Sequence, residues 1–130
     1  MIGDSRGWFD LDLDELQKGL GKRPIQLAMG GGCAYPVLAA AVQKLRSRGG
    51  KIVFVRLPHS GGLKALEDRE MPRAAVWDRV IKDTAAPGIY YEDFPELAGF
   101  NCPEWSHLSA GDSVEFSKRL IPHLRAALQM

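Results

Sequence analysis

The sequence predicts a layered α/β domain with a small, mostly parallel sheet, on three observations. Short apolar runs alternate with longer amphipathic ones, and glycine and proline mark the junctions. The strongest strand candidate, Ile52-Val53-Phe54-Val55, is β-branched and aromatic without alternation, as a strand covered by helices on both faces requires. The chain has 130 residues, of which 45% are apolar, 25% charged and 8% aromatic. Those proportions belong to an ordinary globular protein and not to a disordered or fibrous one. The length suits a single domain over 1–130, or a fragment of a longer chain.

Each element follows from its local pattern. Almost no strand precedes the Gly3-Asp4-Ser5 turn, so a first strand is expected in truncated form. Leu11, Leu13, Leu16 and Leu20 space a first helix, stopped by Gly19 and Gly21. Ile25 to Met29 reads as a buried strand bounded by Pro24 and by Gly30-Gly31-Gly32. Pro36 suits the first position of a helix, where its missing N–H would have no partner anyway. Val37, Leu38, Ala41, Val42 and Leu45 are expected on its inner face, and Gly49-Gly50 ends it. Lys44, Arg46 and Arg48 favour the negative end of that helix dipole. Beyond the Ile52–Val55 strand, a helix is expected from near Met71-Pro72, with Ala75, Val76, Val80 and Ile81 inward. Pro87-Gly88 breaks it, and Ile89-Tyr90-Tyr91 makes a further strand. A last helix runs from about Ala110, with Ser109 as N-cap and Asp112 in its first turn. Val114, Ser117, Leu120, Ile121, Leu124 and Leu128 form its inner stripe, and Pro122 should kink it or shift its start.

Charge and cysteine content narrow the function. Seventeen basic against sixteen acidic residues give a net charge of +1, which offers nucleic acid or an anionic membrane no field to follow. No apolar run approaches the ~20 residues of a membrane-spanning helix. The N-terminus shows no basic region followed by an apolar stretch, so no signal peptide is visible and no compartment is indicated. Cys33 and Cys102 are too few for a disulfide scaffold or a four-ligand zinc site.

In open α/β sheets the ligand site lies beyond the carboxyl ends of the strands. Three segments would meet there. The Gly3-Asp4-Ser5 turn brings a hydroxyl, the Gly30-Gly31-Gly32-Cys33 loop brings backbone N–H groups, and the Asn101–Ser109 loop brings Glu104 and His107. A serine nucleophile needs a base, a carboxylate to orient it and N–H donors for the oxyanion. Each residue alone has an ordinary alternative: Ser5 as a helix cap, His107 as a structural histidine, Glu104 as a solvated acid. The triple glycine could equally be a tight turn or a phosphate nest, though no Lys-Ser/Thr follows it as in a P-loop.

Together these parts resemble the SGNH (GDSL-type) hydrolase family. Gly3-Asp4-Ser5 looks like its first block, Gly31 or Gly32 sits where the second block's glycine would be, and Glu104-Trp105-Ser106-His107-Leu108 looks like the last block. The resemblance spans nearly the whole chain and implies a three-layer α/β/α domain of flavodoxin-like type. It implies a Ser5 nucleophile, a His107 base, a Glu104 orienter and an oxyanion hole of the Ser5 and Gly31 N–H groups. No cofactor or metal is implied. The substrate class would be a small-molecule or carbohydrate ester, acetyl esters first. Four departures stand beside it. The acid is glutamate where the family has aspartate, and the first strand is nearly absent. The third block with its oxyanion asparagine is not found, and a strand and a helix are missing before Ile52. A non-catalytic remnant, binding carbohydrate or serving assembly, is therefore the alternative.

Other combinations are weaker. Arg56, His59 and Ser60 follow the central strand, either as loop residues facing solvent or as a partial replacement for the lost asparagine. Asp93 is a second candidate orienter. Cys102, Glu104 and His107 are conceivable zinc ligands, and Cys33 a conceivable nucleophile. Trp105 and Tyr35 either border a substrate cleft or pack. Cys33 and Cys102 are expected near one another at the cleft rim, as two thiols in preference to a disulfide.

Overall fold

The computed structural model describes residues 2–3, 10–25, 27–28 and 35–130. Ser5, Gly31, Gly32 and Cys33 lie outside the described residues, and with them the expected Ser5–His107 contact and the Cys33–Cys102 neighbourhood. Among the described residues, four short strands and six α-helices follow one another in the order β1 (Ile2–Gly3), α1 (Leu13–Leu20), β2 (Leu27–Ala28), α2 (Tyr35–Arg46), β3 (Phe54–Arg56), α3 (Gly61–Glu70), α4 (Trp77–Thr84), β4 (Gly88–Tyr90), α5 (Pro95–Ala98) and α6 (Ala110–Leu128). A 3-10 turn, Tyr91–Asp93, follows β4.

The α/β class and the parallel pairing are present. The strands form two separate parallel pairs, β1 with β2 and β3 with β4. Among the described residues this is less than the single sheet expected.

The β3–β4 pair is covered on both faces, and the alternation of strand side chains explains how. Val53, Val55 and Ile89 join Leu16, Phe116, Leu120 and Leu124 in one apolar cluster. Phe54, facing the other way, packs with Val42 and Ala86, and Trp77, Val80 and Ile81 border them. α1 and α6 thus lie on one side, α2 and α4 on the other.

Helix ends behave as their residues require. Asp12 caps α1 by accepting from the Asp14 and Glu15 N–H groups, and Gly21 closes it in the left-handed conformation at φ 70°. Gly19 lies inside α1 and does not stop it, because α6 crosses close at that point. A Cβ on Gly19 would stand 2.3 Å from Ile121 Cδ1. Ser109 caps α6 through the Asp112 N–H. α6 starts at Ala110 and runs unbroken across Pro122.

Several expectations need correction. α3 has no counterpart among the expected elements, and β3 starts two residues and ends one residue later than the Ile52–Val55 run. α4 begins at Trp77 because Pro72–Val76 forms turns, and Ala75 is exposed instead of inward. α2 fully buries Val42 alone of its expected face, while Val37 and Leu45 are exposed.

Candidate active site

The loop after β3 and the loop before α6 meet at the carboxyl ends of β3 and β4. The sequence Leu57-Pro58-His59-Ser60 leaves β3 and enters α3, and Ser60 ties it to the second loop by three hydrogen bonds. Its hydroxyl donates to the Cys102 carbonyl at 3.0 Å and accepts from the Cys102 N–H at 3.1 Å. Its own N–H donates to the Trp105 carbonyl at 3.0 Å. The Trp105 N–H in turn donates to the Cys102 carbonyl at 2.9 Å.

Within that loop, Glu104, Ser106 and His107 close on one another. Glu104 Oε1 lies 2.5 Å from His107 Nδ1, and the Ser106 hydroxyl donates to Glu104 Oε2 at 2.8 Å. Ser106 Oγ is also 2.8 Å from His107 Nδ1. The Ser106 hydroxyl and then the His107 ring hold the Glu104 carboxyl below the usual carboxylate range. A carboxylate accepting at Nδ1 selects the tautomer whose Nε2 carries the lone pair, the state a general base needs. The longer side chain of glutamate therefore still reaches the ring. Its carboxylate stays largely open to solvent, with 61% of the side chain exposed.

A buried acid anchors the next residue. Asp10 is fully buried, and its Oδ1 accepts from the Leu108 N–H at 2.9 Å. Two residues on, the Asp12 N–H donates to the buried Ser117 hydroxyl of α6 at 2.8 Å. The segment a few residues downstream of Ser5 in sequence is thus bonded to the residue that follows His107.

The remaining candidates are committed elsewhere. Arg56 pairs with Glu67 of α3, and His59 Nε2 lies 3.5 Å from the same Glu67 oxygen. His59 is buried, at 2% exposure, and faces Tyr91 edge-on, so neither the solvent-facing reading nor an oxyanion role fits it. Ser60 spends its hydroxyl on Cys102. Asp93 accepts both arms of the Arg73 guanidinium, at 2.6 and 2.8 Å, and this pairing holds its carboxyl low. The zinc alternative is not assembled: the Cys102 thiol is buried and donates to the Pro58 carbonyl at 3.6 Å. Among the described residues no group of three His, Cys, Asp or Glu side chains is placed to hold a metal ion. Among the same residues no helix is long and apolar enough to cross a membrane.

Sequence reasoning missed Asp10 and the structural role of Ser60. Neither carries a local signal, since their partners lie 98 and 42 residues away. A cavity of about 560 Å³ lies at the opposite edge, between Ile52, Ile81, Pro87 and Leu128. Its basic groups are occupied by carbonyls: Arg46 by that of Ala85, Lys51 by those of Leu128 and Gln129. The described residues that line it include no serine, cysteine, histidine or carboxylate. Comparison of the chain with protein-family models, with curated proteins and with solved structures finds no significant match to any of them.

Proposed function

We propose that the chain is a serine-dependent hydrolase or transferase of acyl esters, of SGNH type, on a three-layer α/β/α frame with a shortened first strand. The observation that carries this reading is the Glu104–His107 bond of 2.5 Å, in a loop pinned beside the chain that leads from Ser5. In this reading Ser5 Oγ attacks the acyl carbon while His107 Nε2 takes its proton. The N–H groups of Ser5 and Gly31 hold the resulting oxyanion. Collapse of the intermediate breaks the ester C–O bond, and the leaving alcohol takes the proton back from His107. Water, or a second alcohol, then repeats the sequence on the acyl-enzyme. Acetyl esters are the first substrates to try.

A fluorophosphonate probe tests it. The wild-type chain should form an adduct at Ser5, and Ser5→Ala and His107→Ala should each abolish adduct formation and ester turnover, with little further loss in the double variant. An unlabelled wild-type chain without turnover on small acetyl esters overturns the reading. That outcome supports the second one, a non-catalytic remnant that binds carbohydrate or serves assembly. The engagement of Arg56 with Glu67 and of the Ser60 hydroxyl with Cys102 favours that second reading, because both candidate replacements for the third block's asparagine already hold partners. Loss of one oxyanion donor costs about 10²–10³ in rate.

A further inference from the structure

We propose that Ser60 is a positioning residue for the Glu104–His107 pair and acts through the backbone of Trp105. The consequence for turnover rests on the ester-hydrolase reading. Ser60 stands at the N-cap of α3, where a serine hydroxyl ordinarily accepts from an N–H of the first turn. Here it makes no such bond. The hydroxyl instead donates to the Cys102 carbonyl and accepts from the Cys102 N–H, while the Ser60 N–H donates to the Trp105 carbonyl. The Trp105 N–H donates to the Cys102 carbonyl and closes the turn between them. One residue thus holds both ends of the turn that contains Glu104.

That turn is of a kind that needs holding. Trp105 has φ 73°, in the left-handed region that a bulky side chain rarely adopts, and such a conformation persists only where the surroundings fix it. Against it lies Gly61 with φ 55°, which lets the chain pass from the extended Ser60 into α3. A Cβ on Gly61 would stand 2.4 Å from the indole Cδ1 and Nε1. The φ torsion of Trp105 separates Glu104 from Ser106 and His107, and the Glu104 carboxylate reaches back across it to His107 Nδ1 at 2.5 Å. Relaxation to a common φ of about −60° would turn the two parts of the loop against each other and part the pair. The Ser60 bonds oppose that relaxation.

The Glu104 side-chain carboxyl, followed by carbon NMR against pH and assigned by its loss in Glu104→Gln, reports the contact directly. In the wild-type chain it titrates below its ordinary value of 4.5, because the Ser106 hydroxyl and the His107 ring hold it there. In Ser60→Ala the titration should rise toward that value, and Ser60→Thr, which keeps the hydroxyl, should restore it. In a Trp105→Gly background, where a positive φ carries no steric cost, Ser60→Ala should move it less. A titration unmoved in Ser60→Ala overturns the proposal, and an equal rise in both backgrounds overturns the route through Trp105. Leu16 and Leu120 methyl signals at their native positions show that Ser60→Ala is folded. If they are lost, Ser60→Cys, whose thiol bonds weakly, should give a smaller rise in the same direction, and no rise there overturns the proposal. Fluorophosphonate labelling separates the two readings. Where the wild-type chain labels, Ser60→Ala should label about tenfold to a hundredfold more slowly. A chain that never labels but shows the Glu104 rise loses the hydrolase reading and keeps the positioning role. A chain that labels at the wild-type rate in Ser60→Ala, with the titration unmoved, loses the positioning role alone.

Discussion

Along the contact of α1 with α6, Leu16, Leu120 and Leu124 are almost completely removed from water, and Gly19 lets Ile121 approach the α1 backbone. Where the 57–60 loop meets the 101–109 loop, the contacts are polar: Ser60 on Cys102 and Trp105, Asp10 on Leu108, Glu104 on Ser106 and His107. The seam holds by area and close packing, which tolerate small shifts in any one residue. The junction holds by a few directional bonds, each fixing one atom to within a few tenths of an ångström. A domain can keep its fold with a loosened junction, but the Glu104–His107 pair cannot keep its geometry.

The seam should give the largest loss of stability. Leu16→Ala removes a fully buried side chain and leaves a cavity, with an expected cost of about 2–5 kcal/mol in denaturant unfolding. If the two regions differ as described, adduct formation at Ser5 in the surviving folded fraction should keep close to its normal rate. A variant of native stability would place the core elsewhere.

Asp10→Ala gives a smaller loss of stability and a larger loss of function. The Leu108 N–H is buried with Asp10 as its acceptor, so truncation leaves it unsatisfied at a cost of about 1–3 kcal/mol. Because Leu108 follows His107, the imidazole loses its fixed position, and the rate of fluorophosphonate labelling should drop more than the stability loss accounts for. Asp10→Asn keeps an oxygen acceptor and should recover part of both. Labelling at the wild-type rate in Asp10→Ala would show that the anchor does not govern His107.

The same contrast explains how far the sequence could be read. The seam is periodic: Leu120, Ile121 and Leu124 recur at helical spacing, and Ser109 with Asp112 marks where α6 begins. The Glu104–His107 pair is legible because its members stand three positions apart, a local feature. α3 was invisible because Gly61-Gly62 opens it and its inward residue is Glu67, with Leu66 exposed, so it shows no apolar stripe. Its helix is supported instead by pairs such as Lys64 with Asp68. Asp10 and Ser60 were invisible for the opposite reason. A buried polar residue is specified by a partner far along the chain, and no periodicity reports that.

Acid should loosen the junction before the seam, the smallest of these effects. The Ser106 and His107 hydrogen bonds lower the Glu104 carboxyl from its ordinary value of 4.5. A depressed carboxyl contributes its full stabilisation above that ordinary value and loses it as pH falls through the lower folded one. Protonated Glu104 no longer accepts from both neighbours, so the loop that carries Trp105 opens more often. Hydrogen-exchange protection of the Ser60 and Trp105 amides, which bond across and within this loop, should fall by a few-fold between about pH 6 and about pH 3. Protection of the Leu120 and Leu124 amides in α6 should change less over the same interval, because the side chains that close the seam there are apolar and do not titrate. Glu104→Gln should remove the step at Ser60 and Trp105. A parallel decline in α6 and in the loop would mean that acid acts on the whole domain, and the distinction between a packed seam and a bonded junction would fail.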